Sequence, residues 1–193
     1  MLQELPKDRF RSNNIVFLID ISKSMQSQNR FGKLKECLGV LFNAMRDIDN
    51  VSILVYNTKS IVLLESEPGL HHQIMQDAID TIKPSGFTNG VNGLENAYII
   101  ARKHFAADGN NQVILATDGE FSDGRNSELT MKNIIETNAR NGIRLSIVGF
   151  AETKTVLDNL QLMGQTGNGH FLLINQNFDN QLLLNEIKSM SAK

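Results

Sequence analysis

Short apolar runs alternate along this chain with longer stretches in which apolar side chains recur at helical spacing. The short runs are rich in Val, Ile and Leu and are bounded by turn residues, so they predict β-strands. The predicted strands are Ile15–Asp20, Val51–Tyr56, Ser60–Leu64, Gln112–Thr117, Arg144–Gly149 and His170–Ile174. Four of them are almost continuously apolar, which is typical of strands buried on both faces of a mostly parallel sheet.

The stretches between these strands carry the 3.6-residue period of amphipathic helices. Helices are predicted at about Arg30–Arg46, His71–Ile82, Gly90–Phe105, Ser127–Asn141, Thr153–Met163 and Asp179–Met190. Asp179 is a suitable N-cap for the last helix, because its carboxylate can accept hydrogen bonds from the first turn. Breaks that contain Gly or Pro separate the elements at 67–69, 83–86, 108–111 and 167–169.

One connection departs from this alternation and sets the direction of a strand. Only Asn57, Thr58 and Lys59 separate the second and third strands, which is too short for a crossover and predicts a hairpin. The fold class that follows is α/β: a doubly wound, Rossmann-like open sheet of about six mostly parallel strands, with one antiparallel edge strand and helices on both faces. No repeat or linker divides the chain, so we expect a single domain over residues 1–193, with residues 1–12 as an N-terminal extension.

Composition narrows the functions that this fold could serve. The formal charge is −2 and no basic tract is present, so neither nucleic acid nor an anionic membrane is an expected partner. No apolar run approaches the roughly 20 residues of a membrane span, so direct membrane insertion is not expected either. Cys37 is the only cysteine and lies in an apolar helical pattern, which predicts a buried structural thiol.

Polar residues cluster near three strand ends, where an open parallel sheet binds its ligands. The segment "DISKS" follows the first strand and contains Asp20, Ser22 and Ser24. The segment "SGFTNG" precedes the third predicted helix and contains Thr88, and "TDGEFSDG" contains Asp118 directly after an apolar strand. If these strands are neighbours in the sheet, the five side chains converge in one shallow site.

The donor atoms of these side chains indicate the ligand class. Two carboxylates and three hydroxyls offer only oxygen, which suits a hard divalent cation. Low charge and several hydroxyls favour Mg²⁺ over Ca²⁺, and the lack of His or Cys in the clusters disfavours zinc. Each cluster taken singly is explained more simply by helix capping. The combination of all three is what indicates a metal site.

The segments "FLIDISKSM", "SGFTNG" and "ILATDGEFSDG" resemble the von Willebrand factor A domain family, and the likeness extends over about residues 13–190. In that family a metal-ion-dependent adhesion site (MIDAS) consists of D-x-S-x-S, a separate Thr and a separate Asp. Every position of the motif is present here: Asp20, Ser22, Ser24, Thr88 and Asp118. The surrounding sequence is most similar to the bacterial branch. One departure is Lys23, at a position that is not a ligand and that is Gly in many relatives.

The resemblance implies a division of roles among these residues. Ser22, Ser24 and Thr88 would contact the metal directly, and Asp20 and Asp118 would hold it mainly through water. Mg²⁺ is the expected cofactor, with Mn²⁺ or Ca²⁺ as alternatives. Neutral hydroxyl ligands leave the cation under-neutralised, so a carboxylate from another molecule can complete its coordination. We therefore expect a non-enzymatic, Mg²⁺-dependent protein-binding module whose partner presents an exposed Asp or Glu.

Two other functions are compatible with the same residues. One is a Mg²⁺-dependent phosphoryl-transfer or hydrolytic enzyme with Asp20 as nucleophile, although haloacid-dehalogenase-like phosphatases place a second Asp where this chain has Ser22. Neither a G-x-x-x-x-G-K-[ST] phosphate loop nor a G-x-S-x-G nucleophile elbow occurs. The other is a domain in which the motif only caps helices and partners bind elsewhere.

The loops around the site, at about 21–30, 86–91 and 119–127, are expected to supply specificity. Phe87 and Phe121 are predicted either to contact a partner or to pack into these loops. Charged residues are expected to give a mixed, solvated rim, which comprises Lys23, Arg30, Glu120, Asp123 and Arg125. The histidines lack metal or triad spacing and are predicted to be structural or at the surface, namely His71, His72, His104 and His170.

Overall fold

The computed structural model describes residues 8–119, 127–175 and 181–193. Its strands are β1 (Asn13–Asp20), β2 (Asn50–Tyr56), β3 (Ser60–Pro68), β4 (Asn110–Thr117), β5 (Ile143–Gly149) and β6 (Asn168–Leu173). Its helices are α1 (Arg30–Phe42), α2 (His72–Asp80), α3 (Gly90–Lys103), α4 (Ser127–Arg140), α5 (Lys154–Thr166) and α6 (Gln181–Ser191). A short 3₁₀-helical segment, Lys23–Asn29, connects β1 to α1. Within these ranges no helix is both long and apolar enough to span a bilayer.

The strands pair in one sheet, in the order β3-β2-β1-β4-β5-β6. Neighbouring strands are parallel except for β2 and β3, which are antiparallel. The predicted fold class, a mostly parallel open sheet with one antiparallel edge strand and helices on both faces, is therefore confirmed. The strand order reverses between β1 and β4, which is where doubly wound sheets leave a crevice for ligands.

Alternate residues of each strand point to opposite faces of the sheet, and helices cover both faces. On one face Phe17 packs in a core with side chains of α1, α2 and α6, and its ring meets that of Phe42 edge-on at 5.9 Å between centroids. On the other face Leu18 packs with side chains of α3, α4 and α5. Cys37 is buried in the first core, as predicted, and burial raises the pKa of its thiol to about 12.

The first helix is shorter than its apolar pattern predicts, and the reason is a buried charge. Arg46 has no exposed surface, and its backbone N–H and guanidinium both donate to the carboxylate of Asp49 at 2.8 to 2.9 Å. The guanidinium also donates to the carbonyl oxygen of Arg11 at 2.6 Å. Because a buried charge must be paired, the chain leaves the helix at Phe42 and turns Arg46 toward these acceptors.

The last strand begins earlier than its apolar run predicts. β6 starts at Asn168, inside the break predicted at 167–169. A Cβ atom on Gly169 would lie 2.3 Å from the carbonyl oxygen of Leu145 in β5. Glycine therefore allows the two backbones to approach at this point. The predicted N-cap of the last helix, Asp179, lies outside the described residues.

Buried polar side chains of β4, β5 and α6 form a chain of hydrogen bonds away from the carboxyl ends of the strands. The Gln112 amide donates to Oγ of Ser146 at 2.8 Å, and Ser146 in turn donates to Glu186 of α6. Glu186 also contacts Nδ1 of His170 in β6 at 2.9 Å. These bonds attach α6 to the sheet away from the carboxyl end of β1, where the predicted site lies.

Candidate metal centre

The first predicted cluster lies where β1 ends and the chain turns toward α1. Asp20 is the last residue of β1 and is fully buried, and its Oδ1 accepts the backbone N–H of Ser22 at 2.8 Å. The hydroxyl oxygens of Ser22 and Ser24 lie 3.0 Å apart. Ser24 is only partly buried. Ser24 is therefore closer to the surface than the carboxylate, whereas Ser22 is buried almost as completely as Asp20.

Donors from the neighbouring strands hold the Asp20 carboxylate. Thr117 of β4 and Tyr56 of β2 donate from their hydroxyls to Oδ2, at 3.1 and 3.3 Å. Burial raises the pKa of the Asp20 carboxyl to about 6, hydrogen bonds from Ser22 oppose that rise, and the charge of Asp118 adds to it. A nearby cation would therefore favour the charged form of Asp20.

The position of Tyr56 depends on a close approach of α3 to β2. A Cβ atom on Gly93 would lie 2.8 Å from Cγ of Tyr56, which is closer than side-chain atoms tolerate. The helix begins with a cap in which Oδ1 of Asn89 accepts the backbone N–H of Asn92 at 3.2 Å. Thr88 precedes that cap, so the packing of α3 locates both Tyr56 and the second predicted cluster.

Thr88 lies on a loop that is bonded to the loop after β1. The backbone N–H of Ser85 donates to the carbonyl oxygen of Ile21 at 2.6 Å, and that of Lys23 donates to the carbonyl oxygen of Gly86 at 3.1 Å. Thr88 itself is only 9% exposed. The second cluster therefore lies against the first.

Asp118 directly follows β4, and its carboxylate is paired with an arginine. Oδ2 of Asp118 lies 2.7 Å from Nη1 of Arg30, and Nη2 of Arg30 contacts Glu152 in the loop after β5. The prediction that Arg30 belongs to a solvated rim is wrong. Arg30 is 5% exposed, because its guanidinium is held between two carboxylates and lies over the ring of Phe150.

The described part of the rim presents an aromatic side chain and a cation. Phe87 is 81% exposed, so the alternative in which this side chain packs into the loops is wrong. Lys23 is exposed as well. The other predicted rim residues lie outside the described residues, namely Glu120, Phe121, Asp123 and Arg125.

Three neighbours of the site were not foreseen from the sequence. Tyr56 and Thr117 are the last residues of β2 and β4. Their place at the same edge of the sheet as Asp20 was the signal that could have found them. Glu152 gives no such signal, since its contact with Arg30 depends on how the loop after β5 packs beside α1.

The histidines contact partners elsewhere in the fold, in agreement with a structural role. His71 pairs with Glu67, and His104 pairs with Glu65. Among the described residues no group of three or more His, Cys, Asp or Glu side chains is placed to hold a metal ion.

The oxygen atoms at the ends of β1 and β4 fit a small divalent cation. In octahedral Mg²⁺ coordination with ligands at about 2.1 Å, adjacent oxygens are about 3.0 Å apart. The Ser22 and Ser24 hydroxyls, which are hydrogen-bonded to each other, have that separation. The carboxylates of Asp20 and Asp118 add negative charge, of which Arg30 balances a part.

Comparison with known proteins identifies similar sequences. The family model for the von Willebrand factor type A domain matches residues 14–189. The chain is 33% identical over 189 residues to the uncharacterized protein YfbK of Escherichia coli (strain K12). That alignment covers 97% of this chain but 32% of YfbK, so the chain spans about a third of the length of this relative.

Solved structures share the fold at lower identity. The conserved hypothetical protein BatB from Bacteroides thetaiotaomicron has a TM-score of 0.75 at 18% identity, over 93% of this chain and 98% of BatB. Proximal thread matrix protein 1 from the mussel byssus, in a structure with a zinc-occupied MIDAS motif, has a TM-score of 0.71 at 18% identity, over 95% of this chain and 47% of that one. Similarity at these identities shows the fold alone.

Proposed function

The chain belongs to the von Willebrand factor type A domain family, and on that premise we propose that it is a Mg²⁺-dependent protein-binding module. Domains of this family are generally interaction modules rather than enzymes. The observation that carries the proposal is at the end of β1, where the hydroxyls of Ser22 and Ser24 form a hydrogen bond of 3.0 Å directly after the buried carboxylate of Asp20.

We assign the ligand set by combining this geometry with the family motif. Ser22, Ser24 and Thr88 would bind the ion directly with their hydroxyls. Asp20 and Asp118 would hold it mainly through water. The all-oxygen donor set favours Mg²⁺, with Mn²⁺ or Ca²⁺ as alternatives, although zinc occupies the MIDAS of the mussel protein. A bound ion supplies one Lewis-acidic position to which a carboxylate can bind.

The partner that fits this site is a protein with an exposed Asp or Glu. Hydroxyl ligands leave much of the charge of the ion uncompensated, so an external carboxylate is attracted to it. Next to Thr88, the exposed ring of Phe87 offers apolar contact area. Lys23, also exposed, adds a positive charge beside the site. We therefore propose an acidic partner residue with an apolar neighbour.

The environment of Asp20 offers no support for the alternative enzyme. A nucleophile must reach its substrate, whereas Asp20 is fully buried and accepts hydrogen bonds on both carboxylate oxygens. That environment suits a carboxylate that holds a metal ion through water and does not react with a substrate.

Isothermal titration of EDTA-treated protein with Mg²⁺ tests the metal site. We expect one-to-one binding in the wild type and in Ser27→Ala, and loss of binding in Ser24→Ala. Ser27 is the matched control, because it is an exposed serine on the same connection between β1 and α1. A Ser24→Ala variant that binds Mg²⁺ as the wild type does would remove Ser24 from the ligand set.

Binding of a carboxylate tests the interaction mechanism. We expect glutarate to bind weakly to Mg²⁺-loaded protein, and to lose that binding after EDTA treatment. Shifts of backbone amide resonances in the loops at 21–30 and 86–91 would report the contact. Glutarate binding of equal strength with and without Mg²⁺ would contradict the proposal.

A further inference from the structure

Arg30 places a permanent positive charge inside the candidate metal centre. Its side chain is 7% exposed, with Nη1 2.7 Å from Oδ2 of Asp118. Nη1 is also 3.4 Å from the carbonyl oxygen of Ser24. Nη2 contacts Oε1 of Glu152, and the guanidinium lies 5.9 Å from the centroid of the Phe150 ring. Arg30 thus touches a proposed ligand and the backbone of another.

This charge opposes the binding of a cation. An arginine side chain stays protonated at all relevant pH values, so Asp118 is partly neutralised whether or not a metal is bound. The attraction between Asp118 and a divalent ion is reduced accordingly. Because the Arg30 side chain is buried, salt and water screen its charge much less than that of a surface lysine.

Glu152 counteracts Arg30 from the solvent side. It contacts Nη2, and its own side chain is 62% exposed. Its negative charge offsets part of the guanidinium charge, but an exposed group is screened and acts weakly. Removing Glu152 should therefore shift the cation affinity in the direction opposite to removing Arg30, and by a smaller factor.

We propose that Arg30 is a positioning residue that sets the metal affinity of this site, by holding Asp118 in place and lowering the attraction of the site for a cation. This inference rests on the proposed metal-dependent function. Its consequence is that a bound ion is less neutralised by the protein and attracts a partner carboxylate more strongly. Arg30 thus lowers the affinity of the site for Mg²⁺ and raises the affinity of the bound ion for a partner carboxylate.

The test is Mg²⁺ titration calorimetry on the wild type and on three variants. Each variant removes one unit charge by substitution to Gln. Arg30→Gln is chosen because its amide can still donate a hydrogen bond to Asp118. We expect this variant to bind Mg²⁺ about tenfold more tightly than the wild type. We expect Glu152→Gln to bind about two- to threefold more weakly.

Lys103→Gln is the matched control, with unchanged affinity expected. Lys103 is a cation paired with Glu65 at the last residue of α3. The 14 residues of that helix place it about 20 Å from the helix start beside Thr88. Thermal unfolding of each EDTA-treated variant reports folding, and Glu152→Gln, an exposed substitution, keeps the test decisive if Arg30→Gln does not fold.

The outcomes separate this inference from the function on which it rests. If the wild type binds Mg²⁺ and Arg30→Gln binds equally or more weakly, the inference is overturned and the metal site stands. If Arg30→Gln does not fold, the test depends on Glu152→Gln. Unchanged or tighter Mg²⁺ binding by Glu152→Gln would then overturn the inference. If Arg30→Gln binds Mg²⁺ and the wild type does not, the effect of Arg30 on cation affinity is supported. The proposed function of the wild-type chain is then overturned. Binding by neither overturns both.

Discussion

The hydroxyl of Tyr56 donates a hydrogen bond to Oδ2 of Asp20 across 3.3 Å, so a side chain of β2 holds the carboxylate that ends β1. Oδ1 of the same carboxylate accepts the backbone N–H of Ser22. Three segments that are distant in sequence therefore meet at this carboxylate, when Thr117 of β4 is included. The contact makes the shape of the site depend on the packing of the sheet.

Removing this hydroxyl should weaken metal binding. We expect Tyr56→Phe to lower Mg²⁺ affinity about tenfold, because a group that orients a ligand is lost, and to cost about 1 kcal/mol of unfolding free energy. Titration calorimetry and urea unfolding measure the two effects. Tyr98→Phe is the matched control, since the buried Tyr98 hydroxyl has no hydrogen-bond partner among the described residues. We expect that variant to be as stable as the wild type or more so, with unchanged Mg²⁺ affinity.

Filling the space between α3 and β2 should also disturb the site. In Gly93→Ala the new methyl group would lie 2.8 Å from Cγ of Tyr56, so we expect a net loss of about 1 to 2 kcal/mol in unfolding free energy and weaker Mg²⁺ binding. In Gly39→Ala, on α1, the methyl group would meet only Oε1 of Gln76 at 3.1 Å. That side-chain end can move, so a gain of up to about 1 kcal/mol is expected. Equal effects of the two substitutions would refute the packing argument.

Breaking the buried ion pair of Arg46 and Asp49 should cost far more stability than breaking a pair near the surface. Asp49→Ala leaves a fully buried guanidinium without its carboxylate partner, and we expect a loss of about 3 to 5 kcal/mol. The pair of partly buried Lys35 and exposed Asp80 at 3.3 Å provides the comparison, and Asp80→Ala should cost about 0 to 1 kcal/mol. Urea unfolding of both variants gives the difference. A loss below about 1 kcal/mol in Asp49→Ala would contradict the assignment of a buried pair.

The thiol of Cys37 should react only when the protein unfolds. Burial raises its pKa to about 12, so at pH 8 only about one thiol in ten thousand would be ionised even if reagent reached it. We expect 5,5′-dithiobis(2-nitrobenzoic acid) to modify the native protein no faster than it unfolds. Ser27→Cys, which adds an exposed thiol, should release one equivalent rapidly. Rapid reaction of the wild type would show that α1 opens locally.

The same substitution at two phenylalanines should have opposite consequences. Phe87 is 81% exposed, so Phe87→Ala should change the unfolding free energy by less than about 0.5 kcal/mol and leave Mg²⁺ affinity unchanged. Phe42 is 1% exposed and packs against Phe17, and Phe42→Ala should cost about 3 to 5 kcal/mol. Thermal and urea unfolding test both. A large loss of stability in Phe87→Ala would mean that its ring supports the loop and is not free for a partner.

Local patterns in the sequence were sufficient to predict the strands and the fold. Burial on both faces makes each central strand almost continuously apolar, and the three residues between β2 and β3 leave room only for a hairpin. The same reasoning located Asp20 and Asp118, because the carboxyl ends of parallel strands share one edge of the sheet. Element ends were less well predicted where a single contact ended the pattern, as Arg46 does for α1.

The sequence by itself determined the sheet, its helices and the polar residues at the strand ends, since each of these follows from a local period or from the order of the strands. Only the tertiary structure decided the surroundings of those residues. Arg30 meets Asp118 and Glu152 across separations of 88 and 122 residues. No local period encodes such contacts, because a long charged side chain takes its partners from whichever loops the packed sheet and helices bring beside it.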